Sequence, residues 1–181
     1  MFTKKTIRDI DVAGKKVLLR ADYNVPLTEF GSVADDYRIK QSLPTVKKLL
    51  EKGCALIICS HLGRPKGPDD IKNSLKAVRK RLSELLDHEV LFAEDCVGEA
   101  TAKQAAKLKP GQILLLENLR YHPEEEANDE AFAKQLASLA DVFVQDGFGV
   151  VHRAHASTDA VTRFLPAVSG LLLELEVDTI T

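Results

Sequence analysis

Residues 54–67, CALIICSHLGRPKG, join an unbroken apolar run to a loop carrying an imidazole, a guanidinium, an ammonium and two glycines. Apolar residues without polar alternation are what a strand covered on both faces requires, and that is the condition of a parallel sheet. Working outward, the same pattern returns at 16–21 (KVLLRA), 112–117 (QILLLE) and 142–146 (VFVQD), with a shorter version at 90–92 (VLF). A further apolar run, VSGLLLE, opens near the end of the chain at 168–174.

Segments of helical period separate these runs. Asp35 or Asp36 can cap a helix running to about Lys52, where Gly53 ends it. Pro44 is expected to kink or restart that helix, because proline lacks the interior donor. Asn73 or Ser74 opens a helix to about Leu86, and 98–108 is an alanine-rich helix closed by Pro110-Gly111. Asn128 is expected to cap a helix over 129–140, and Ser157 or Thr158 a short one through Phe164. Strand–helix alternation of this kind predicts an α/β, Rossmann-like three-layer domain, with a parallel sheet of about six strands flanked by helices. Ligands of such sheets bind outside the carboxyl ends of the strands.

Length and composition set limits on function. The chain has 181 residues, 45% hydrophobic and 29% charged, enough for one closed core. Its formal charge of −2 argues against general binding of nucleic acid, so any basic site is local. No stretch reaches the roughly 18 apolar residues of a membrane span, and the N-terminus lacks a signal-like apolar segment. Cys54, Cys59 and Cys96 have no CxxC spacing; the first two bracket an apolar run and read as packing groups in a reducing cytoplasm.

The chemistry gathers where strands end. The first run delivers Asp22, Tyr23 and Asn24, which either close an Asx turn before Pro26 or offer an acceptor and an amide to a ligand. The second delivers His61, Leu62, Gly63 and Arg64, without the spacing of a Walker loop. The fourth delivers Arg120, followed by the acidic run 124–126, which reads as a solvated loop. The fifth delivers Asp146, two glycines that do not complete a dinucleotide fingerprint, and then His152, Arg153 and His155. Two histidines three apart raise a metal, but the nearby chain offers no obvious third ligand except Asp146 and no HExxH, and no metal is expected. Arg64, Arg120 and Arg153 each follow a different strand, and Arg38 begins the first helix at the same edge. Clustered guanidiniums repel one another unless an anion lies between them, and their forks fit phosphate and carboxylate oxygens. A pocket for a small phosphorylated anion is the economical reading.

Four segments carry a further resemblance. LLRADYNVP (18–26), SHLGRPKG (60–67), LLLENLRYHPEEE (114–126) and VQDGFGVVHRAHAST (144–158) resemble the signatures of the phosphoglycerate kinase family, in the family's order and over nearly the whole chain. Tyr23, Gln145 and Gly147 stand where that family commonly has phenylalanine, asparagine and alanine. The resemblance implies a two-domain, hinge-bending phosphotransferase of glycolysis. It moves a phosphoryl group reversibly between 1,3-bisphosphoglycerate and ADP, giving 3-phosphoglycerate and Mg-ATP.

By the same resemblance, residues 1–175 are the N-terminal, phosphoglycerate-binding domain and 176–181 begin the connection to a nucleotide domain absent from this sequence. Mg-ATP or Mg-ADP belongs mainly to that absent domain, so neither cofactor nor metal is expected here. The family's substrate residues fall on Asp22, Asn24, Arg38, His61, Arg64, Arg120 and Arg153, with Tyr23, Leu62 and Gly63 in the same segments. Arg64, Arg120, Arg153 and His61 would grip the phosphate and Asp22 and Asn24 the glycerate end. Arg38 would face the acyl phosphate as the catalytic cation. The expected partners are 3-phosphoglycerate or 1,3-bisphosphoglycerate and the covalently linked nucleotide domain, in a cytoplasmic monomer without nucleic acid or membrane. A stand-alone phospho-ligand module or pseudoenzyme is the alternative.

Overall fold

The computed structural model describes residues 5–180. Residues 1–4 and Thr181, the last residue of the expected connection, lie outside the described residues.

Six parallel strands form one sheet: β1 Lys16–Arg20, β2 Ala55–Cys59, β3 Val90–Ala93, β4 Ile113–Leu116, β5 Val142–Gln145 and β6 Ala167–Ser169, in the order β3-β4-β2-β1-β5-β6. The helices are α1 Tyr37–Glu51, α2 Lys76–Leu86, α3 Glu99–Ala106, α4 Pro123–Glu126, α5 Glu130–Ala137 and α6 Leu171–Ile180. Connections leaving β1 and β2 cross the sheet in one direction; those leaving β3, β4 and β5 cross in the other. Right-handed crossovers then put α1 and α2 on one face and α3 and α5 on the opposite face.

The strand residues divide accordingly, with a period of two. Val17, Leu19, Leu56, Ile58, Ile113, Leu115, Val142 and Val144 pack with Ile39, Val46 and Leu49 of α1 and Val78 and Leu82 of α2. Leu18, Ile57, Cys59, Leu114, Leu116 and Phe143 pack with Ala105 of α3 and Phe132, Ala133 and Leu136 of α5. Each large aliphatic side chain fully removed from water contributes about 1.5–3 kcal/mol, so the two layers outweigh weak local preferences. The three cysteines are buried and unpaired, and burial pushes the Cys59 thiol up to about 12.

Several local expectations are corrected. Pro44 lies inside a continuous α1 and does not restart it. The lost donor is outweighed by Ile39, Val46 and Leu49, which seat the turns on either side against the sheet. The cap of α5 is Asp129, whose carboxylate accepts from Phe132 N at 2.8 Å; Asn128 takes the left-handed turn before it at φ +54°. Ser157 and Thr158 do not cap the following 3-10 turn, Ala160–Arg163, which begins after Asp159. In the run 168–174 only the start is strand: Gly170 ends β6, and the leucines that follow open α6. Asp146 holds that helix to the sheet, its Oδ1 accepting from Leu173 N at 3.0 Å. Burial pushes the Asp146 carboxyl up to about 7 against that hydrogen bond. No helix among the described residues is long and apolar enough to cross a membrane.

Candidate functional site

Loops leaving β1 and β2 turn toward one face of the sheet, and loops leaving β4 and β5 toward the other. A crevice therefore opens between them at the carboxyl edge, the usual place for a ligand in a doubly wound sheet. It is a cleft of about 290 Å³ lined by Asp22, Asn24 and Arg38 together with His61, Gly63 and Arg64. Arg120, Gly149, Val150 and Arg153 complete it. A larger groove of about 720 Å³ runs between residues 30–36 and α2, but Arg81 within it is already paired, with Asp36 at 2.8 Å and Glu84 at 2.9 Å.

Hydrogen bonds between the loops hold the lining in place. Asp22 Oδ1 accepts from Asn24 N at 3.1 Å, the Asx turn, and also from Arg38 Nη1 at 3.2 Å. The structural and ligand readings of Asp22 are thus both open to one carboxylate. Asn24 Oδ1 accepts from Gly63 N at 2.8 Å, tying the first loop to the second. Gly63 has φ +63°, and a Cβ there would overlap the Asn73 carboxamide, so only glycine fits. Buried Asn118 ties the second loop to the fourth: its amide donates to the carbonyls of Leu62 at 2.7 Å and Asn73 at 2.9 Å. Its Oδ1 accepts from Leu62 N at 3.2 Å and Arg120 N at 3.0 Å. The 3-10 turn Leu119–Tyr121 so formed aims Arg120 at Gly63 O, 3.3 Å away.

The cleft is cationic. Among the described residues no carboxylate lies within ion-pair distance of Arg64, Arg120 or Arg153, whereas Arg38 has Asp22. Burial lowers the Arg120 pKa below the ordinary guanidinium value; the charge of Glu126 opposes this, and those of Arg153 and Arg20 add to it. Arg120 Nε is buried without a hydrogen-bond partner among the described residues. A buried guanidinium N–H left unpaired, next to like charges, is relieved by an anion accepting from it.

Eight of the ten residues singled out from sequence line this one cleft; Tyr23 and Leu62 do not. Tyr23 is fully buried, its hydroxyl paired with Ser42 at 2.8 Å, and Leu62 packs in the core. Alternation along the extended loop turns both side chains inward while their neighbours turn out. Behind the cleft stands a buried set that the sequence reading passed over. Arg20 at the end of β1 donates from Nε to Ser157 Oγ at 2.9 Å and from Nη2 to His61 Nδ1 at 2.9 Å. Ser157 in turn donates to the Glu125 carboxylate through both N and Oγ. Glu125 is 0% exposed, which corrects the reading of 124–126 as a solvated run. A charge closing an otherwise apolar strand, as Arg20 does in KVLLR, was the available signal.

The residues described as lining this cleft do not suit a magnesium ion. The cleft has one carboxylate, and that one is paired with Arg38; Mg²⁺ takes oxygen ligands, not guanidiniums. Elsewhere, Asp95, Cys96 and His122 bring ligating atoms within 4.8 Å of one another. There Asp95 Oδ1 accepts from His122 Nε2 and Cys96 N at 2.7 Å each, bonds that close its loop.

These features define a doubly wound α/β domain with a basic cleft at the carboxyl edge of its sheet. Its family follows from comparison: the family model described as phosphoglycerate kinase matches residues 7–181, and the chain belongs to that family. It is 57% identical over 177 residues to a phosphoglycerate kinase of Pelotomaculum thermopropionicum, covering 98% of this chain and 45% of that protein. A cytosolic phosphoglycerate kinase of Triticum aestivum is 55% identical over 182 residues, with the same coverage of 98% and 45%. The crystal structure of the phosphoglycerate kinase from Pyrococcus horikoshii superposes with a TM-score of 0.89 at 31% identity, over 97% of this chain and 44% of that one. The chain thus spans a little under half the length of the relatives it matches.

Proposed function

We propose that this chain is the phosphoglycerate-binding half of a phosphoglycerate kinase. It receives 3-phosphoglycerate or 1,3-bisphosphoglycerate for reversible phosphoryl transfer with ATP or ADP, in the cytoplasm and within glycolysis. The observation that carries this reading is the convergence of Arg64, Arg120 and Arg153, all without carboxylate partners, on one cleft with His61. Three guanidinium forks match the three terminal oxygens of a phosphomonoester. Asp22 and Asn24, in the same cleft, supply a carboxylate acceptor for the glycerate hydroxyl and an amide for its carboxylate.

Arg38 leaves the first turn of α1 at the rim, and its charge faces the acyl-phosphate end. There it stabilises negative charge spread over the oxygens of the migrating group. The residues of this chain bind and orient; they provide no nucleophile, and direct in-line transfer needs none. Residues 1–175 form the binding domain, and 176–181 lead toward a second, nucleotide-holding domain of the same polypeptide, the whole acting as a monomer.

A coupled kinase assay tests this function. The purified 181-residue chain is expected to give no turnover with 3-phosphoglycerate and ATP, and the same chain continued through its nucleotide-binding half to turn over readily. Lack of turnover in the continued protein overturns the kinase reading, and family-level turnover by the chain alone overturns the division of labour.

A further inference from the structure

We propose that Arg20 is a positioning residue that holds His61 as a neutral imidazole with its proton on Nε2. His61 then meets a phosphate oxygen as an uncharged hydrogen-bond donor. The statement about the ring stands on its own contacts; the phosphate as its acceptor rests on the function proposed above.

A guanidinium has five donors and no acceptor. With Arg20 Nη2 at 2.9 Å from His61 Nδ1, that nitrogen must be the acceptor, so the ring proton sits on Nε2. Protonating the ring would put an N–H on Nδ1, donor against donor at hydrogen-bond distance, with two cations buried side by side. Arg20 has no freedom to turn away. It is 0% exposed, its Nη1 donates to Ala21 O, and its Nε donates to Ser157 Oγ. The Ser157 hydroxyl has one proton and gives it to Glu125, so it can only accept from Arg20. The chain Glu125–Ser157–Arg20–His61 therefore has one consistent set of proton positions, fixed from its buried carboxylate outward.

The surroundings act in the same sense. The charged and titratable groups that act on His61 include Arg20, Arg120, Arg153 and His155, and Arg64 lines the same cleft. Asp22 lines the same cleft but is paired with Arg38. Burial first, and these cations second, pull the His61 pKa down to about 2. With Nδ1 taken by Arg20, Nε2 is the ring nitrogen left to a ligand in the cleft.

An ordinary histidine at a phosphate site titrates near pH 6.5 and releases its ligand as it loses charge. His61 is expected to do neither. The test is a two-bond ¹H–¹⁵N correlation spectrum of the histidine side chains in this chain without ligand, followed between about pH 5 and 8. The expected His61 pattern is that of a neutral ring protonated at Nε2, unchanged throughout. A ring that titrates within this window, or one carrying its proton on Nδ1, overturns the proposal whatever the cleft binds.

Arg20→Gln supplies the second arm, because a carboxamide can turn to accept from Nδ1. His61 is then expected to begin taking up a proton as the pH falls toward about 5, where the parent ring stays neutral. An unchanged His61 pattern in a folded Arg20→Gln variant overturns the role of Arg20. If that variant does not fold, the parent spectra decide alone. Finally, binding of inorganic phosphate to the parent chain, followed over the same range, is expected to vary only with the ionisation of phosphate. Loss of the NMR pattern and loss of phosphate binding are separate results. The first refutes the tautomer, and the second the phosphate reading of the cleft.

Discussion

Arg38→Ala in the full-length protein is expected to lower kcat by about 10³-fold or more while changing KM for 3-phosphoglycerate by less than about tenfold. A thousandfold loss corresponds to about 4 kcal/mol of transition-state stabilisation. Among the described residues, Arg38 differs from the other three guanidiniums of the cleft in having a carboxylate partner. Its Nη1 lies 3.2 Å and 3.3 Å from the two Asp22 oxygens and 3.0 Å from Asn24 O. A cation so held is oriented before substrate arrives, which is what stabilising a developing charge requires. Its side chain remains about half exposed. Arg38→Lys keeps the charge but not the fork, and is expected to recover only a small part of the loss. Steady-state kinetics at saturating ATP checks this; a large rise in KM with unchanged kcat would make Arg38 a ground-state binding residue.

The second large effect is on stability. Glu125→Ala is expected to destabilise the chain by about 3–5 kcal/mol, a large part of the 5–15 kcal/mol that holds a typical domain. Glu125 is fully buried on the four-residue helix α4, and its carboxylate accepts from Ser157 N at 2.8 Å and from the Ser157 hydroxyl. Removing it leaves two donors unpaired and the buried Arg20 cation without its balancing charge. Glu125→Gln keeps one acceptor and should fall between the parent and the alanine variant. Urea unfolding followed by circular dichroism measures the difference. A loss below about 1 kcal/mol for Glu125→Ala would mean that this buried set does little for the fold.

The sheet was legible in the sequence because its strands are covered on both faces, so each announces itself as an uninterrupted apolar run. Strands β1 to β5 fall within about one residue of those runs. Helix ends were less legible, since caps are decided by single side chains: Asp129 and not Asn128 turns its carboxylate onto a free amide. Pro44 misled because local propensity says nothing of the tertiary contacts that keep α1 continuous. In the cleft, residues just after strands were easy to find, because the topology brings every such loop to one edge. Tyr23 and Leu62 sit in the same segments but face inward, a matter of alternation within irregular loops. Arg20, Ser157 and Glu125 were hardest, since Arg20 meets Ser157 across 137 positions and Ser157 meets Glu125 across 32. No short-range pattern marks such a set.

The central claim is that three arginines from three strand ends share one phosphate. Titration calorimetry with 3-phosphoglycerate, on this chain and on Arg64→Ala, Arg120→Ala and Arg153→Ala, tests it most directly. Each charge-assisted contact contributes about 1.5–3 kcal/mol, so each variant is expected to lose about 10- to 100-fold in affinity from a weak but saturable parent isotherm. Unchanged affinity in all three variants would contradict the claim and leave the cleft without its phosphate.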